Sequence, residues 1–194
     1  MELINSVKNM LLTPKTEWQT IEAENAPHTK VFTTYVMPLA MIPAVAAFIG
    51  WGLIGFSAFG VHVNNISWGL RQAVVQYITM LGGTYLTAFV INALAENFGA
   101  KKDFDRAFSL VAYAYTPMFV AGIFYILPSL SWLASLVGLY GLYLLYIGLN
   151  QMMKASADKQ TTYFIVSLIA TVAVVVVLSE VLTAILSTGT NISF

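Results

Sequence analysis

Residues 107–153 are the most informative part of the chain and read AFSLVAYAYTPMFVAGIFYILPSLSWLASLVGLYGLYLLYIGLNQMM. It contains no Asp, Glu, Lys, Arg or His, and it is about twice as long as the ~20 residues that one helical membrane crossing needs. Leu127-Pro128-Ser129 marks a turn inside it, because proline ends one helix before the next begins. The stretch therefore predicts a hairpin of two membrane-spanning helices whose open ends face the same side.

The composition is that of a membrane protein with several spans. Only 9% of the 194 residues are charged, 58% are apolar and the mean hydropathy is +0.76, whereas a soluble domain carries about a quarter charged residues. Nine basic and nine acidic side chains give no net charge, so the electrostatic footprint of a nucleic-acid-binding protein is missing. The chain has no cysteine, which excludes thiol catalysis and thiolate metal sites.

The hydropathy pattern predicts an all-α fold, a bundle of five membrane-spanning helices. The predicted spans are 31–56, 71–95, 107–127, 131–153 and 161–186. Together they form a membrane domain over residues 31–194, with a polar loop at 57–69. Residues 1–30 precede it as a separate segment of short amphipathic helices, which Thr13-Pro14 divides in two.

Two positions for the second of these short helices remain open. It carries Trp18 and Ile21 on one side and acidic residues elsewhere, a pattern typical of a helix that lies along the membrane surface. The same pattern suits a helix packed beneath the loops of the bundle. With Lys101, Lys102 and Arg106 of the connector between the second and third spans, Trp18 and Ile21 form a candidate surface for docking the membrane or a protein partner.

The distribution of basic residues predicts the orientation. With five spans, one side of the membrane receives Lys8, Lys15, Lys30, Lys101, Lys102, Arg106, Lys154 and Lys159, and the other side receives Arg71 alone. Because Lys and Arg accumulate on the cytoplasmic side, we expect a cytoplasmic N-terminus, an outer C-terminus and a location in the cell membrane.

Arg71 and Glu180 are a candidate ion pair between the second and fifth spans. Glu180 is the one formal charge well inside a predicted span, and it lies ~28 Å along the fifth helix from its cytoplasmic start. Arg71 should lie at a similar depth near the outer boundary. The alternatives are that both side chains reach interfacial water, or that Glu180 carries a proton.

A repeat of tyrosines and glycines on the fourth span permits two interpretations. Small residues allow close helix packing and tyrosine hydroxyls can hydrogen-bond across helices; the same hydroxyls could instead line a polar cavity. The residues concerned are Tyr140, Tyr143, Tyr146, Gly138, Gly141 and Gly148, with Tyr113, Tyr115, Pro117, Gln76 and Asn92 on neighbouring spans. No catalytic motif is present, and we expect no metal site and no cofactor.

Several segments together carry a family resemblance. They are AYAYTP (112–117), GLYGLYLLYIGL (138–149), TPKTEWQTIEAEN (13–25) and YVMPLAMIPA (35–44). In this order and spacing they resemble the Ypt-interacting-protein (Yip) domain family. The resemblance implies a five-span helical protein with a cytoplasmic N-terminus and no catalytic residues. Eukaryotic members interact with Rab-type GTPases and have a longer N-terminal region; the short segment here implies a bacterial, inner-membrane member to which the Rab role does not transfer.

Two functions follow from these patterns. The first is a non-enzymatic membrane scaffold or adaptor that forms a homo-oligomer or docks a cytoplasmic protein partner. The alternative is a channel or transporter for a small solute or ion through the bundle. The absence of charge at mid-membrane favours the first. The expected partners are the lipid bilayer and one of these proteins, and not nucleic acid.

Overall fold

Five helical segments, each long and apolar enough to cross a membrane, make up the fold. The computed structural model describes residues 3–58, 61–156 and 158–188. Within these ranges the candidate spans are His28–Ile54, Ile66–Phe98, Phe104–Ile126, Pro128–Met153 and Gln160–Ile185. The prediction of an all-α five-span membrane fold is therefore confirmed. The orientation of the termini stays a prediction.

Almost all of the regular structure in the described residues is helical. The N-terminal hairpin consists of α1 (Leu3–Leu12) and α2 (Pro14–Glu24). The first span contains α3 (His28–Val31), a π-helical turn (Phe32–Val36), α4 (Met37–Ala47) and a second π-helical turn (Phe48–Ile54). The second contains α5 (Ile66–Leu94) and a 3₁₀ turn (Ala95–Phe98). The third span contains α6 (Phe104–Ala114), α7 (Thr116–Ala121) and a 3₁₀ turn (Gly122–Ile126). The fourth span contains a 3₁₀ turn (Pro128–Leu130) and α8 (Ser131–Met153). The fifth span contains α9 (Gln160–Thr188).

Breaks in the first and third spans bring these spans into close contact. Pro43 lies inside α4 and removes a backbone donor there, and Pro117 lies in the first turn of α7, after the break at Tyr115. A Cβ added to Gly122 would collide with the ring of Pro43, and one added to Gly50 with the carbonyl of Tyr125. The glycines therefore let the two irregular helices approach each other at backbone distance.

The loop between the first two spans contains a structure that the sequence did not predict. A short antiparallel hairpin pairs β1 (Phe56–Ala58) with β2 (Val61–Val63), with Phe56 opposite Val63. Helix α5 then begins at Ile66, because the side chain of Asn65 caps its first turn by accepting from the backbone N–H of Trp68 at 2.9 Å. The second span thus starts before Arg71, where the charge pattern had placed it.

The fifth span packs against the second span. Gly82 and Gly83 of α5 face Leu178 and Val175 of α9. Nearer the other end, the hydroxyl of Tyr163 donates to the carbonyl of Ile91 at 2.5 Å. The fifth span is the least enclosed of the five, with 6% of its most apolar window buried, so most of its surface is left for lipid.

Candidate functional site

The N-terminal hairpin, residues Leu3–Glu24, is part of the bundle. Trp18 is 2% exposed and Ile21 is also buried. The indole lies on Gly148 of α8, where an added Cβ would come within 2.6 Å of two of its ring carbons and within 2.7 Å of Leu110. Trp18 and Ile21 therefore do not form the exposed docking surface that the sequence predicted. Of the two positions considered for this helix, the structure has the one in which it packs within the protein. Gly148, in the tyrosine–glycine repeat, is the residue that makes room for the indole.

An ionic cluster fixes the end of this hairpin to the third and fourth spans. Glu22 accepts from Lys154 and Gln151 at the end of α8, and the Nη1 atom of Arg106 lies 3.6 Å from its carboxylate. The hydrogen bond from Lys154 is the main cause that holds the pKa of Glu22 below its usual value. Arg106 also pairs with Asp103, Nε to Oδ2, at 3.5 Å. Arg106 was predicted as a docking residue, but it is engaged within the chain.

Lys101 and Lys102 are the members of the predicted docking set whose side chains are exposed. The backbone N–H of Lys101 donates to the carbonyl of Met153 at 2.9 Å. This bond joins the connector between the second and third spans to the end of the fourth. Docking of a partner here stays a prediction.

Several hydroxyl groups inside the bundle bond to one another or to backbone carbonyls, whereas the buried hydroxyls of Thr79 and Ser167 have no hydrogen-bond partner. The hydroxyl of Thr116 donates to the carbonyl of Tyr113 at 2.6 Å, so the hydroxyl of Tyr35, 2.6 Å away, must donate to Thr116. The Tyr115 hydroxyl pairs with that of Thr87 at 2.9 Å. Of these residues, sequence reasoning missed Tyr35, Thr116 and Thr87, because a single hydroxyl in a span gives no periodic signal.

On the fourth span, the glycines face inward, whereas Tyr143 faces outward. A Cβ at Gly141 would lie 2.9 Å from the Ala114 carbonyl oxygen, and one at Gly138 would lie 3.6 Å from Met118. The ring of Tyr146 meets Phe164 of the fifth span with centres 5.3 Å apart. The hydroxyl of Tyr140 donates to the carbonyl of Leu11 in α1 at 3.0 Å. These contacts are those of helix packing, and the role of the exposed Tyr143 stays a prediction.

A cavity of about 300 Å³ lies among the second, third and fourth spans, where a polar pathway would be expected. Its lining is mostly apolar, and the polar groups it includes are the side chains of Tyr125 and Ser135. Gln76 and Asn92 do not line it. The Oδ1 atom of Asn92 is buried without a hydrogen-bond partner. The residues proposed to line a polar cavity are therefore not brought together here.

Arg71 contacts the fifth span, but not through the predicted partner. Its Nη2 atom donates to the carbonyl of Thr183 at 2.8 Å, and its guanidinium carbon lies 5.4 Å from the centre of the Trp68 ring. The ion pairs found in residues 3–58, 61–156 and 158–188 do not include Arg71 with Glu180. A backbone carbonyl serves as the acceptor, which side-chain patterns in the sequence do not reveal. Glu180 is exposed on α9.

Two titratable groups near the hairpin were not singled out by the sequence. Glu17 is 3% exposed and its Oε1 atom has no hydrogen-bond partner. Asp105 accepts from the backbone N–H of His28 at 2.8 Å and lies 2.6 Å from its Nδ1 atom. This pair holds the start of the first span against the third. Among the described residues, no group of three His, Cys, Asp or Glu could hold a metal ion.

A bundle of five apolar spans, with its N-terminal hairpin packed against the third and fourth spans, defines a multi-pass integral membrane protein. The chain belongs to the Yip1 domain family, whose sequence profile matches residues 8–179. It is 34% identical over 127 residues to "Inner membrane protein YohC" of Escherichia coli strain K12, and equally to that of strain O6:H1. The match covers 64% of this chain and 65% of each relative, just under two thirds. No solved structure matches. The predicted family is confirmed.

Proposed function

We propose that this protein is a non-enzymatic scaffold of a bacterial inner membrane, which holds a second membrane protein or a cytoplasmic partner through its exposed connectors. The inner-membrane location is carried over from the YohC relatives. The observation that carries the proposal is the use of interior polar groups for packing. Tyr35, Tyr115 and Tyr163 each bond to another helix of the same chain, which ties the bundle together.

The N-terminal side supports this proposal. The N-terminal hairpin occupies the groove between the third and fourth spans, with Trp18 seated on Gly148, and the Glu22 cluster lies across its end. A solute would have to displace these groups to enter between those two spans. Lys101 and Lys102 point outward from a connector that is hydrogen-bonded to the end of α8. A partner that docks there would contact a surface held in place by the bundle.

The experiment compares crosslinking of this protein in native membranes with flux through the purified chain in proteoliposomes. We expect a lysine-reactive crosslinker in native membranes to capture a discrete complex, and Lys101→Gln with Lys102→Gln to abolish the product. Lys15→Gln, which removes an exposed lysine elsewhere, is the control and should leave it unchanged. Proteoliposomes should show no ion or solute flux above protein-free vesicles. Flux that Tyr115→Phe abolishes would overturn the proposal in favour of a pathway.

A further inference from the structure

A row of contacts shows that helix α2 runs along α8 rather than across it. Near the end of α2, Glu22 bonds to Lys154, which follows the last residue of the fourth span. One turn earlier in α2, the indole of Trp18 lies on Gly148, five residues before the span ends at Met153. Each step toward the start of α2 is therefore a step further into the fourth span.

The turn between α1 and α2 continues this row to the middle of the fourth span. The hydroxyl of Tyr140 donates to the carbonyl of Leu11, two residues before Thr13 at the turn. Tyr140 lies 13 residues before the end of the span at Met153, which is ~20 Å at ~1.5 Å per residue. Helix α1 also packs against α7, in the second half of the third span. Because the hydrocarbon core of a bilayer is ~30 Å thick, the turn lies near its mid-plane.

The outward face of α2 is polar over its first two turns. Its exposed residues there are Lys15, Thr16, Gln19 and Thr20. The ion pairs in residues 3–58, 61–156 and 158–188 do not include Lys15. A lysine that faces hydrocarbon is costly, and ionisable residues inside membranes face protein or a water-filled cavity. Since Lys15 is exposed on the outside of the hairpin, this face requires water.

The backbone at the turn requires water as well. The first N–H groups of a helix have no partner within it, and the side chain of Thr13, which precedes α2, makes no capping hydrogen bond. Its hydroxyl donates instead to the carbonyl of Asn9 at 3.2 Å. Both residues are exposed. Irregular backbone at membrane depth is tolerated where it is buried in protein or lines a water-filled cavity, and here the exposure leaves the cavity.

The bundle is closed beside and beyond the turn. Next to Tyr140, a Cβ on Gly141 would lie 2.9 Å from the carbonyl oxygen of Ala114, so the third and fourth spans approach at backbone distance there. Gly122 and Gly50 bring the first and third spans together in the same way. Water that reaches the turn therefore finds no passage between these pairs of spans.

We propose that the N-terminal hairpin is re-entrant: it enters the membrane from the side of Lys154, turns near the mid-plane and lines a blind, water-filled crevice with the polar face of α2. Ile4 and Leu12, the exposed apolar residues of α1, border lipid at the edge of this crevice. The inference does not depend on the scaffold proposal, because it concerns the depth and hydration of the hairpin and not a protein partner.

Spin labels on the full-length chain in lipid vesicles test the depth. Thr13→Cys places a nitroxide at the turn, and Ala23→Cys places one at the exposed end of α2, ten residues on. A gadolinium chelate attached to lipid headgroups should relax the Ala23 label more strongly, because the two labels differ in depth by ~15 Å. The control is Val172→Cys, 54% exposed and 12 residues into the fifth span, which should be relaxed as weakly as the Thr13 label.

Water access then separates the turn from the control at the same depth. With a water-soluble nickel chelate on both sides of the membrane, the Thr13 label should be relaxed more by nickel than by oxygen, and the lipid-facing Val172 label should show the reverse. A label on Thr16→Cys, also exposed, should behave as the Thr13 label does. Gadolinium relaxation as strong at Thr13 as at Ala23 would place the hairpin on the membrane surface and overturn the proposal. Labels at Thr13 and Thr16 relaxed mainly by oxygen would overturn the crevice.

Discussion

Replacing Gly148 by alanine should release the N-terminal hairpin from the bundle. The added Cβ would lie 2.6 Å from ring carbons Cε2 and Cζ2 of Trp18 and 2.7 Å from Leu110 Cδ1. Leu110 can rotate, but the indole is rigid and has no open side, since Trp18 is fully buried. The hairpin can relieve the clash by moving away, whereas α6 and α8 belong to spans that pack against each other.

The size of the effect follows from the contact that is lost. Burying a tryptophan removes ~150–250 Å² from water, which stabilises the docked hairpin by ~4–6 kcal/mol at ~25 cal/mol per Å². Overpacking by one methyl group costs ~1–3 kcal/mol. The undocked population should therefore rise ~5- to ~150-fold, while the spans remain folded.

Hydrogen exchange of the α2 amides, followed by mass spectrometry in detergent, measures this opening. Gly138→Ala is the matched control: it is the same change on the same helix, but its Cβ would lie at an ordinary 3.6 Å from Met118. We expect faster exchange over residues 14–24 in Gly148→Ala alone. Equal exchange in the two variants would refute the docking of Trp18 on Gly148.

Three further predictions concern charged residues. Because the pKa of Glu22 is lowered from its usual 4.5, its contribution to docking is present above that value and lost as the pH falls below it; the protection of the α2 amides relative to their intrinsic exchange rates should fall in acid, and Glu22→Gln should remove this pH dependence. Glu17→Met should stabilise the chain by ~1–3 kcal/mol because it removes a buried oxygen, Oε1, that has no hydrogen-bond partner, measured as a higher Tm; a lower Tm would show that the polar atoms of Glu17 contribute to stability. The effects of Arg71→Gln and Glu180→Gln on the free energy of unfolding should add in the double variant, with a coupling energy below ~0.5 kcal/mol; a larger coupling energy would show that the two side chains do interact.

The number of membrane spans could be predicted because it depends on the lengths of the apolar segments and on the charges between them. The charge-free stretch from Ala107 to Met153 indicated two helices, and the structure breaks it at Leu127-Pro128, where the backbone leaves the helical region. Helix α8 ends where Lys154 adopts a left-handed conformation, with φ of 54°. The start of the second span was placed too late, because the cap at Asn65 is a weaker signal than the charge of Arg71.

The arrangement of the site depends on contacts distant in sequence, which the pattern of one segment does not contain. An amphipathic helix with a tryptophan suits a membrane surface and a protein groove equally well. Only the pairing of Trp18 with Gly148 decides between them, and these residues lie on different helices. Similarly, Arg71 uses the carbonyl of Thr183, an acceptor that every residue offers and that no side-chain pattern marks.

Packing of the N-terminal hairpin into the bundle can be tested directly, because the chain has no native cysteine. Ser6 faces the bundle and is 1% exposed, whereas Asn9, one turn further along α1, is exposed. In open membrane fragments, a water-soluble maleimide should label Asn9→Cys rapidly and Ser6→Cys only after denaturation. Equal labelling rates of the two variants in native membranes would show that the N-terminal hairpin is not packed into the bundle.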